Sequence, residues 1–366
     1  MKRLLCIIAS MNSGGAETFL MKVYRKLDKT KYQMDFCINV KEKCFYEDEI
    51  TSLGGKIFRI PSKSESLSKF KKQLYTLIKS NKYEYVLRNT SSSFGMMDLK
   101  IAKKAGAKIC SARSTNSSDG NSLFNKLTHK IGRLLYQRFV DVKFAPSILA
   151  AKYTFGKKLF ANGEVALLHN AVDLDIYKYY PQERKLIRKL FNLEDKLVVG
   201  HVGRFCLQKN HMFLLDVFNE IKKVKDNAVL VLVGGNGNLE EEVHKKITQL
   251  GLNDSVIFTG IRSDIPQLMS AMDVFVMPSF YEGMPNTVIE AQATGLPCVI
   301  ADTITKEANI TGLVTYLPLR EPNRWAQKVL SLEEDERIDT KQIFLKEKYD
   351  VESTVQTFID LVFGSK

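Results

Sequence analysis

Two carboxylates stand eight positions apart, at Glu282 and Glu290, with a predicted turn between them. The turn contains Gly283 and Pro285, which favour a tight bend, and Asn286 after it is a residue type that caps helices. The first backbone N–H groups of a helix lack intrahelical partners, so they can bind a diphosphate or the polar edge of a sugar. The spacing therefore predicts that the two acids hold separate parts of one elongated ligand. A capped helix with a surface glutamate is the alternative interpretation.

A second group of residues could bind phosphate oxygens. Gly203 permits a tight turn after a predicted strand, Arg204 offers a forked donor, and Lys209 is a point charge. Two solvated basic side chains in a loop are the alternative. The backbone amides expected to join this site are those of Gly283, Met284, Asn286 and Thr287.

Paired glycines near the start of the chain form a third candidate. Ser13, Gly14 and Gly15 come shortly after the first predicted strand. Glu17 falls in the first turn of the helix that begins after these glycines. Paired glycines let a backbone approach a ligand closely, although such turns are also frequent without a ligand.

Other chemistries lack their motifs. The glycine-rich stretch Val233–Leu239 has no third glycine at the position of a dinucleotide fingerprint, and there is no Gly-Lys-Ser/Thr phosphate loop. The five histidines are scattered without metal-ligand spacing, and only His169 and His201 lie at predicted strand ends. The six cysteines form no Cys-x-x-Cys pair, so we expect reduced thiols, no metal and no bound cofactor.

Short apolar strands alternate with amphipathic helical stretches, a pattern typical of α/β folds with doubly wound parallel sheets. The 366 residues suit two such domains, which we place at 1–172 and 173–349, with the polar stretch Asp173–Lys196 at the boundary. The amphipathic segment Val351–Phe363 is expected to pack back onto the first domain. Ligands of these sheets bind beyond the carboxyl ends of the strands, where the candidate residues lie. The first series of predicted strands is Leu4–Ser10, Gln33–Val40, Ile57–Ile60, Tyr85–Leu87, Lys108–Ser111, Val142–Ala145 and Ala166–His169. The second is Leu197–Val202, Ala228–Val233, Val256–Thr259, Asp273–Met277 and Cys298–Ile300.

Positive charge is concentrated in the first half. Residues 1–170 contain 31 Lys and Arg against 13 Asp and Glu, a net charge of +18, whereas residues 171–366 carry −5. The stretch Ser122–Asp141 reads as a basic amphipathic helix, which could lie on an anionic membrane or cover a core with a basic outer side. No apolar run is long enough to cross a bilayer or to act as a secretion signal, so we expect a cytoplasmic protein, peripheral to the inner face of the plasma membrane.

Together these motifs resemble the retaining glycosyltransferases of family 4, which have the GT-B fold of two facing Rossmann-like domains with a cleft between them. The resemblance is strongest from Leu197 to Thr311. It implies that Glu282 contacts the donor sugar and Glu290 the ribose, while Arg204 and Lys209 bind the donor diphosphate without a metal. The first domain would then bind the acceptor and the second the nucleotide sugar. The donor-binding residues implied in this way are Gly14, Gly15, Gly203, Arg204, Lys209, Gly260, Arg262, Glu282, Gly283, Met284, Pro285, Asn286, Thr287 and Glu290.

The acceptor side departs from the family pattern. Many members carry a catalytic histidine in a stretch that here reads Cys110–Asn116 and contains none, which leaves Arg113 as the candidate at that place. Asn170 belongs to a stretch that resembles the family's Asn-Gly-Val-Asp element, and Glu17 completes the acceptor-side set. The sequence around Glu290 resembles the branch that builds bacterial capsular or exopolysaccharide units on lipid-linked acceptors. The implied reaction moves a hexose or N-acetylhexosamine from a UDP-sugar to an acceptor hydroxyl, which attacks the donor sugar from its front face. The resemblance implies no nucleic acid among the partners.

Two other functions use the same features. A UDP-sugar epimerase could share the fold and the donor, and a non-catalytic protein that binds membranes or nucleic acid would explain the basic half. Transfer that depends on an acceptor would distinguish a transferase from the epimerase. Stabilisation by a nucleotide sugar would distinguish it from the non-catalytic binding protein.

Overall fold

The first unit of the fold is organised around a parallel sheet that is covered on both faces. The computed structural model describes residues 1–12, 14–115, 123–235, 237–332 and 336–364, and of residues 123–126 the backbone alone. The unit spans Met1–Ala171 and Tyr349–Lys366. Its strands are β1 (Lys2–Ile7), β2 (Tyr32–Ile38), β3 (Ile57–Arg59), β4 (Tyr85–Thr90), β5 (Ile109–Ser114), β6 (Val142–Ala145) and β7 (Ala166–Leu167). Its helices up to residue 171 are α1 (Gly15–Lys26), α2 (Glu47–Ser52), α3 (Leu67–Ser80), α4 (Met97–Ala105), α5 (Leu123–Tyr136), α6 (Ile148–Phe155) and α7 (Lys157–Ala161).

The strand order in this sheet is β3-β2-β1-β4-β5-β6-β7, and every recorded pair is parallel. Alternate residues of β1 therefore belong to different cores, with Leu4 and Cys6 on one face and Leu5 and Ile7 on the other. The order reverses between β1 and β4, and ligands of doubly wound sheets bind at this kind of switch point.

The second unit, Val172–Lys348, repeats the architecture with a six-stranded sheet in the order β10-β9-β8-β11-β12-β13. The switch point here lies between β8 and β11. The strands are β8 (Leu197–Val202), β9 (Ala228–Val233), β10 (Val256–Gly260), β11 (Val274–Met277), β12 (Cys298–Ala301) and β13 (Val314–Leu317). The helices are α8 (Pro181–Leu190), α9 (His211–Val224), α10 (Glu240–Gln249), α11 (Ile265–Ala271), α12 (Asn286–Ala293), α13 (Pro322–Leu330) and α14 (Lys341–Lys346).

All twelve predicted strands are present, and β6, β8 and β9 have the predicted bounds. The thirteenth strand, β13, is missing from the prediction. It has only four residues, and Gly312 and Pro318 flank it, so its sequence is as typical of a loop as of a strand.

The helix α15 (Val351–Ile359) belongs to the first unit although it follows the second along the chain. Phe358 packs against Phe19 of α1 and Phe144 of β6, with ring centroids 6.4 and 6.2 Å apart. Asp350 caps the helix by accepting a hydrogen bond from the N–H of Ser353 at 2.7 Å. The core of the first unit is therefore completed by the end of the chain.

The six cysteines are free thiols, and five of them are buried. Within the described ranges, no helix combines the length and the apolar character needed to span a membrane.

Candidate active site

Two segments meet at the carboxyl edge of the second sheet, because the strands that precede them are neighbours at the switch point. Residues 203–210 follow β8, and residues 278–285 follow β11. Their positions are those predicted for a ligand site from the strand pattern alone.

Three hydrogen bonds connect these two segments. The N–H of Phe280 donates to the carbonyl of Gln208 at 2.9 Å, and the Gln208 side-chain amide donates to the carbonyl of Tyr281 at 3.0 Å. The third bond is an ion pair between Lys209 Nζ and Glu282 Oε1 at 2.8 Å, with side chains that are only 17% and 10% exposed. A partly desolvated pair of this kind is more strongly coupled than a surface salt bridge, so the two residues act as one unit. The sequence analysis assigns Lys209 to the donor diphosphate and Glu282 to the donor sugar, whereas in the structure the two side chains contact each other.

The start of α12 differs in one detail from the prediction. Asn286 is the first helical residue, and Pro285 occupies the capping position without a side-chain hydrogen bond. The predicted Asn286 cap is therefore wrong, because Pro285 already supplies the extended backbone that precedes a helix. The amides of Gly283, Met284 and Thr287 have no intramolecular acceptor among the described residues. They are available to a ligand with negative or hydroxyl oxygens.

Gly203 lies beneath the side chain of Lys209. A Cβ at this position would be 3.0 Å from Lys209 Cε and 3.1 Å from His201 Nε2, so a glycine lets the lysine cross close to the backbone. His201 is fully buried, and its Nδ1 donates to the carbonyl of Val276 at 2.8 Å. Burial lowers the pKa of His201 well below its usual value, and burial with the charge of Lys209 lowers the pKa of His211 to about 4. Both imidazoles are therefore neutral at pH 7 and act as uncharged support for the loop.

The glycine-rich stretch Val233–Leu239 supports the same loop. Gly234 has φ +140°, and a Cβ there would be 2.1 Å from the carbonyl oxygen of Gly203. A Cβ on Gly237 would be 1.9 Å from the carbonyl oxygen of Phe205. These glycines are positioning residues that comparison with a dinucleotide fingerprint does not reveal. Their place after β9, the neighbour of β8, is the feature of the sequence that points to them.

The remaining donor-side candidates have different environments. Arg204 is exposed, and no acidic side chain of the described residues pairs with it. Glu290 is buried in α12 with 8% of its surface exposed. Gly260 ends β10, two strands away from β8, and Arg262 forms an ion pair with Asp264 at 2.5 Å. Arg204 is thus the candidate cation of this unit that is accessible to an anionic ligand without breaking an ion pair.

In the first unit, the structure brings the acceptor-side candidates together around β5. Arg113 Nη2 donates to Asn170 Oδ1 at 2.6 Å, and its guanidinium carbon lies 3.8 Å from the centre of the Phe19 ring. Gly14 precedes α1, and a Cβ on it would be 2.5 Å from Glu17 Oε2. Gly15, the first residue of α1, is exposed. Ser13 and Asn116 lie outside the described residues.

Asn89 is a further buried polar residue of this region, and it belongs to none of the motifs in the sequence. It is 4% exposed and pairs in register with Arg113 across β4 and β5. Neither atom of its amide has a hydrogen-bond partner in the described structure, and the same is true of Arg113 Nε. Buried amides without partners are rare in native proteins, so this face of the sheet carries unused hydrogen-bonding capacity. His169, in contrast, stacks on Tyr349 at 4.3 Å and contacts the carbonyl of Pro146 through Nδ1.

The predicted basic amphipathic helix is α5, and its apolar side faces outward. His129 and Gly132 form its buried side: His129 Nδ1 is 2.6 Å from Ser93 Oγ, and a Cβ on Gly132 would be 2.4 Å from the N of Phe94. The opposite side presents apolar residues with exposed fractions of 57% for Leu127, 38% for Ile131, 82% for Leu134 and 46% for Leu135. Ser122 and the side chains of residues 123–126, including Lys126, lie outside the described residues.

Within the described parts of the chain, no group of three or more His, Cys, Asp or Glu side chains is arranged to hold a metal ion.

Several known proteins with similar sequences are named as glycosyltransferases. Residues 196–335 match the family described as Glycosyl transferases group 1. The chain is 36% identical over 374 residues to "Putative glycosyltransferase EpsF" of Bacillus subtilis (strain 168), covering 98% of this chain and 96% of that protein. It is 27% identical to the UDP-Gal:alpha-D-GlcNAc-diphosphoundecaprenol alpha-1,3-galactosyltransferase of Escherichia coli, over 68% of this chain and 66% of the relative. It is 24% identical to the capsular polysaccharide biosynthesis glycosyltransferase CapH of Staphylococcus aureus, over 84% and 82%.

Among solved structures, the fold is similar to that of Anabaena Alr3699/HepE in complex with UDP and glucose. The TM-score is 0.79 at 20% identity, with 100% of both chains covered. This likeness confirms the predicted GT-B fold with two Rossmann-like domains. Because the match to the Bacillus protein extends over nearly the full length of both chains, the protein belongs to the group 1 glycosyltransferases.

Proposed function

We propose that this glycosyltransferase moves a hexose or N-acetylhexosamine from a UDP-sugar to a hydroxyl of a lipid-linked capsular or exopolysaccharide acceptor. The observation that carries the donor half of the proposal is the Lys209–Glu282 pair at the switch point of the second sheet, beside the amides at the start of α12 that have no acceptor among the described residues. A cation, a carboxylate and helix-start amides together match a ligand that has a diphosphate next to a hydroxyl-rich sugar.

The named relatives support the donor and the acceptor. The Escherichia coli protein uses UDP-Gal and a diphosphoundecaprenol-linked sugar, the Staphylococcus aureus protein serves capsular polysaccharide biosynthesis, and the Anabaena structure contains UDP. Transfer from an α-linked UDP-sugar to an α-1,3 product keeps the anomeric configuration, and we extend this retention to the present chain.

In the proposed mechanism, fixed charges take the role that a metal ion has in other transferases. Arg204 is the first contact of the diphosphate, and Lys209 stabilises the negative charge that develops as UDP leaves. Glu282 then accepts hydrogen bonds from the donor sugar, and Glu290 from the ribose. The Gly260–Arg262 segment lies near the base. The acceptor hydroxyl attacks the anomeric carbon from the face that UDP leaves, the bond from that carbon to the diphosphate breaks, and the hydroxyl proton passes to the departing diphosphate oxygen.

A panel of nucleotide sugars tests the donor assignment. We expect UDP-sugars, but not GDP- or CDP-sugars, to raise the unfolding temperature, since a ligand at 100 times its Kd stabilises by about 2.7 kcal/mol. Thermal unfolding of the full chain measures this, with Glu282→Gln as the variant that should reduce the shift. A flat panel, or an equal response to GDP-sugars, would contradict the proposed donor. Release of UDP that requires an added polyprenyl-diphosphate sugar then tests the transfer itself.

We also propose that the outward side of α5 contacts an anionic lipid surface. The four exposed apolar residues Leu127, Ile131, Leu134 and Leu135 are flanked by exposed Lys130 and Arg138, and the first half of the chain carries a net charge of +18. Apolar side chains next to basic ones match the boundary between acyl chains and anionic headgroups.

Vesicle sedimentation tests this contact. We expect the protein to bind phosphatidylglycerol vesicles more tightly than phosphatidylcholine vesicles, and Leu134→Gln to weaken that binding several-fold because it removes an 82% exposed apolar side chain. Leu190→Gln in α8 is the matched control, since Leu190 is 67% exposed in the other unit. Equal binding by the Leu134 and Leu190 variants would exclude α5 as the contact.

A further inference from the structure

Three charged side chains of the first unit form a cluster that belongs to none of the sites described above. Lys63 Nζ lies 2.6 Å from Asp98 Oδ1, and Arg88 Nε lies 3.0 Å from Asp98 Oδ2. The Asp98 side chain is fully buried, whereas those of Lys63 and Arg88 are 24% and 14% exposed. The carboxylate therefore lies behind two cations that solvent can still reach.

The cluster lies at the switch point of the first sheet. Arg88 of β4 is opposite Ile7, the last residue of β1, and its Nη1 donates to the Ile7 carbonyl at 3.1 Å. Asp98 is in the first turn of α4, and Lys63 lies in the connection that follows β3. Ligands of doubly wound sheets bind at this point, so the cluster has the position of a ligand site.

The cluster carries one positive charge more than its carboxylate balances. Lys63 and Arg88 share Asp98, and no second acidic side chain of the described residues pairs with either cation. Burial lowers the pKa of Lys63, the Asp98 carboxylate raises it, and the charge of Arg88 lowers it again. A second anion would stabilise two cations that are partly removed from water. The forked donor of an arginine beside a lysine ammonium matches the oxygens of phosphate groups.

A short 3₁₀ helix, Ser93–Met96, connects this cluster to α5. A Cβ on Gly95 would lie 3.3 Å from Arg88 Nε, so the backbone of this helix passes close to the guanidinium. The preceding residue, Phe94, contacts α5, since a Cβ on Gly132 would be 2.4 Å from the Phe94 N. The two cations are therefore one turn of chain away from the helix that we propose to contact anionic lipid.

We propose that Lys63 and Arg88 bind the diphosphate of the lipid-linked acceptor, and that Asp98 is the buried carboxylate that holds the two cations together. The inference rests on the proposed transfer to such an acceptor. It assigns the lipid diphosphate to the first unit and the UDP diphosphate to the second. Free inorganic diphosphate has the same chemistry, but the proximity of α5 favours a diphosphate that is anchored in a lipid surface.

Calorimetric titration of the full chain with polyprenyl-diphosphate N-acetylglucosamine tests the site. We expect Lys63→Met to raise the Kd at least about tenfold, because it removes one charged contact with the diphosphate. The variant should keep the wild-type unfolding temperature, since Arg88 still pairs with Asp98 and the apolar stem still lies over Phe70. Unchanged affinity in a folded Lys63→Met variant would overturn the inference.

Lys103→Met is the matched control in the same unit. The Lys103 side chain is 28% exposed and pairs with Asp141 at 2.6 Å, so its charge is balanced and no excess remains. This variant should bind the lipid-linked sugar with wild-type affinity. An equal loss in the Lys63 and Lys103 variants would mean that total charge, and not this cluster, determines binding, and the inference would fall.

Two further probes identify the part of the acceptor that is bound. An alkyl glycoside of N-acetylglucosamine lacks the diphosphate and should bind wild type and Lys63→Met equally; a loss with this probe as well would contradict a diphosphate contact. Inorganic diphosphate should bind more weakly than the lipid-linked sugar. If it binds as tightly, the cations serve a free diphosphate and the assignment to the acceptor is wrong.

Arg88→Lys keeps the test decisive if Lys63→Met does not fold. It preserves the charge of the cluster but removes the forked donor, so it should also raise the Kd for the lipid-linked sugar, and wild-type affinity would contradict the inference. The UDP-induced shift in unfolding temperature should stay at the wild-type value in both variants. If wild type binds the lipid-linked sugar through Lys63 but transfers nothing to it, the proposed function fails and the diphosphate site stands. If both variants transfer sugar with an unchanged KM for the acceptor, the site fails and the proposed function stands.

Discussion

Replacing Lys209 with methionine is expected to lower sugar transfer by about 100- to 1000-fold, the range found when one charge-stabilising group is removed from an active site. The lysine is the partner of Glu282 at 2.8 Å, and both side chains are largely shielded from water. Methionine preserves the apolar stem that crosses Gly203 but removes the positive charge that faces the Glu282 carboxylate, so the diphosphate meets a more negative site. Initial rates of UDP release at saturating donor, together with the UDP-induced shift in unfolding temperature, measure the effect.

Lys223→Met is the matched control for Lys209→Met. Lys223 also forms an ion pair, with Glu220 at 2.6 Å, but its side chain is 60% exposed in α9. Exposed pairs contribute little to stability, so this variant should retain wild-type rates. If both variants lose activity to the same degree, a general loss of positive charge explains the result and the site assignment fails.

Gly237→Ala is expected to destabilise the second unit by at least about 2 kcal/mol and to abolish donor binding. The new Cβ would lie 1.9 Å from the carbonyl oxygen of Phe205 and 2.2 Å from its carbon, and backbone atoms cannot rotate away as a side chain does. The loop that holds Arg204 and Lys209 would have to shift. Thermal unfolding and UDP titration of the purified variant report both effects.

The same glycine-rich stretch provides the control. A Cβ on Gly235 would be 3.5 Å from Ile261 Cγ1, an ordinary contact, and the residue has no positive φ. Gly235→Ala should therefore have wild-type stability or slightly more, since alanine lowers the entropy of the unfolded chain. Destabilisation of both variants alike would mean that the whole stretch, and not the contact with Phe205, limits substitution.

The sheet architecture was predictable because parallel strands buried on both faces leave a strong signal, namely short apolar runs such as Val198 to Val202 and Ala228 to Val233. That the candidate residues Lys209 and Glu282 lie at the same edge of the sheet was predictable for the same reason, since they follow strands that the topology makes neighbours. Their direct pairing was not predictable. The sequence shows which strand each side chain follows, but the length and direction of a loop decide which atoms meet.

The burial of Arg113 had no signal in the sequence, and the sequence of α5 left open whether its apolar side faces a core or a membrane. An arginine is a surface residue by default, and nothing in a short strand reveals that Phe19 and Asn170 will enclose it. In α5, the interior side contains Gly132 because the close approach of Phe94 requires a small residue there, and it contains His129, whose ring forms a hydrogen bond with Ser93. Tertiary contact thus overrides the usual rule that leucines mark the buried side of a helix.

The position of α15 determines the order in which the chain can finish folding during synthesis. Phe358 fills the space between Phe19 and Phe144, yet it is translated after every strand of the second unit. The second unit can therefore reach its native state on the ribosome while the first unit still exposes an incomplete apolar core. A nascent chain arrested before residue 350 should bind chaperones through the first unit, which is synthesised first, and not through the more recently synthesised second unit.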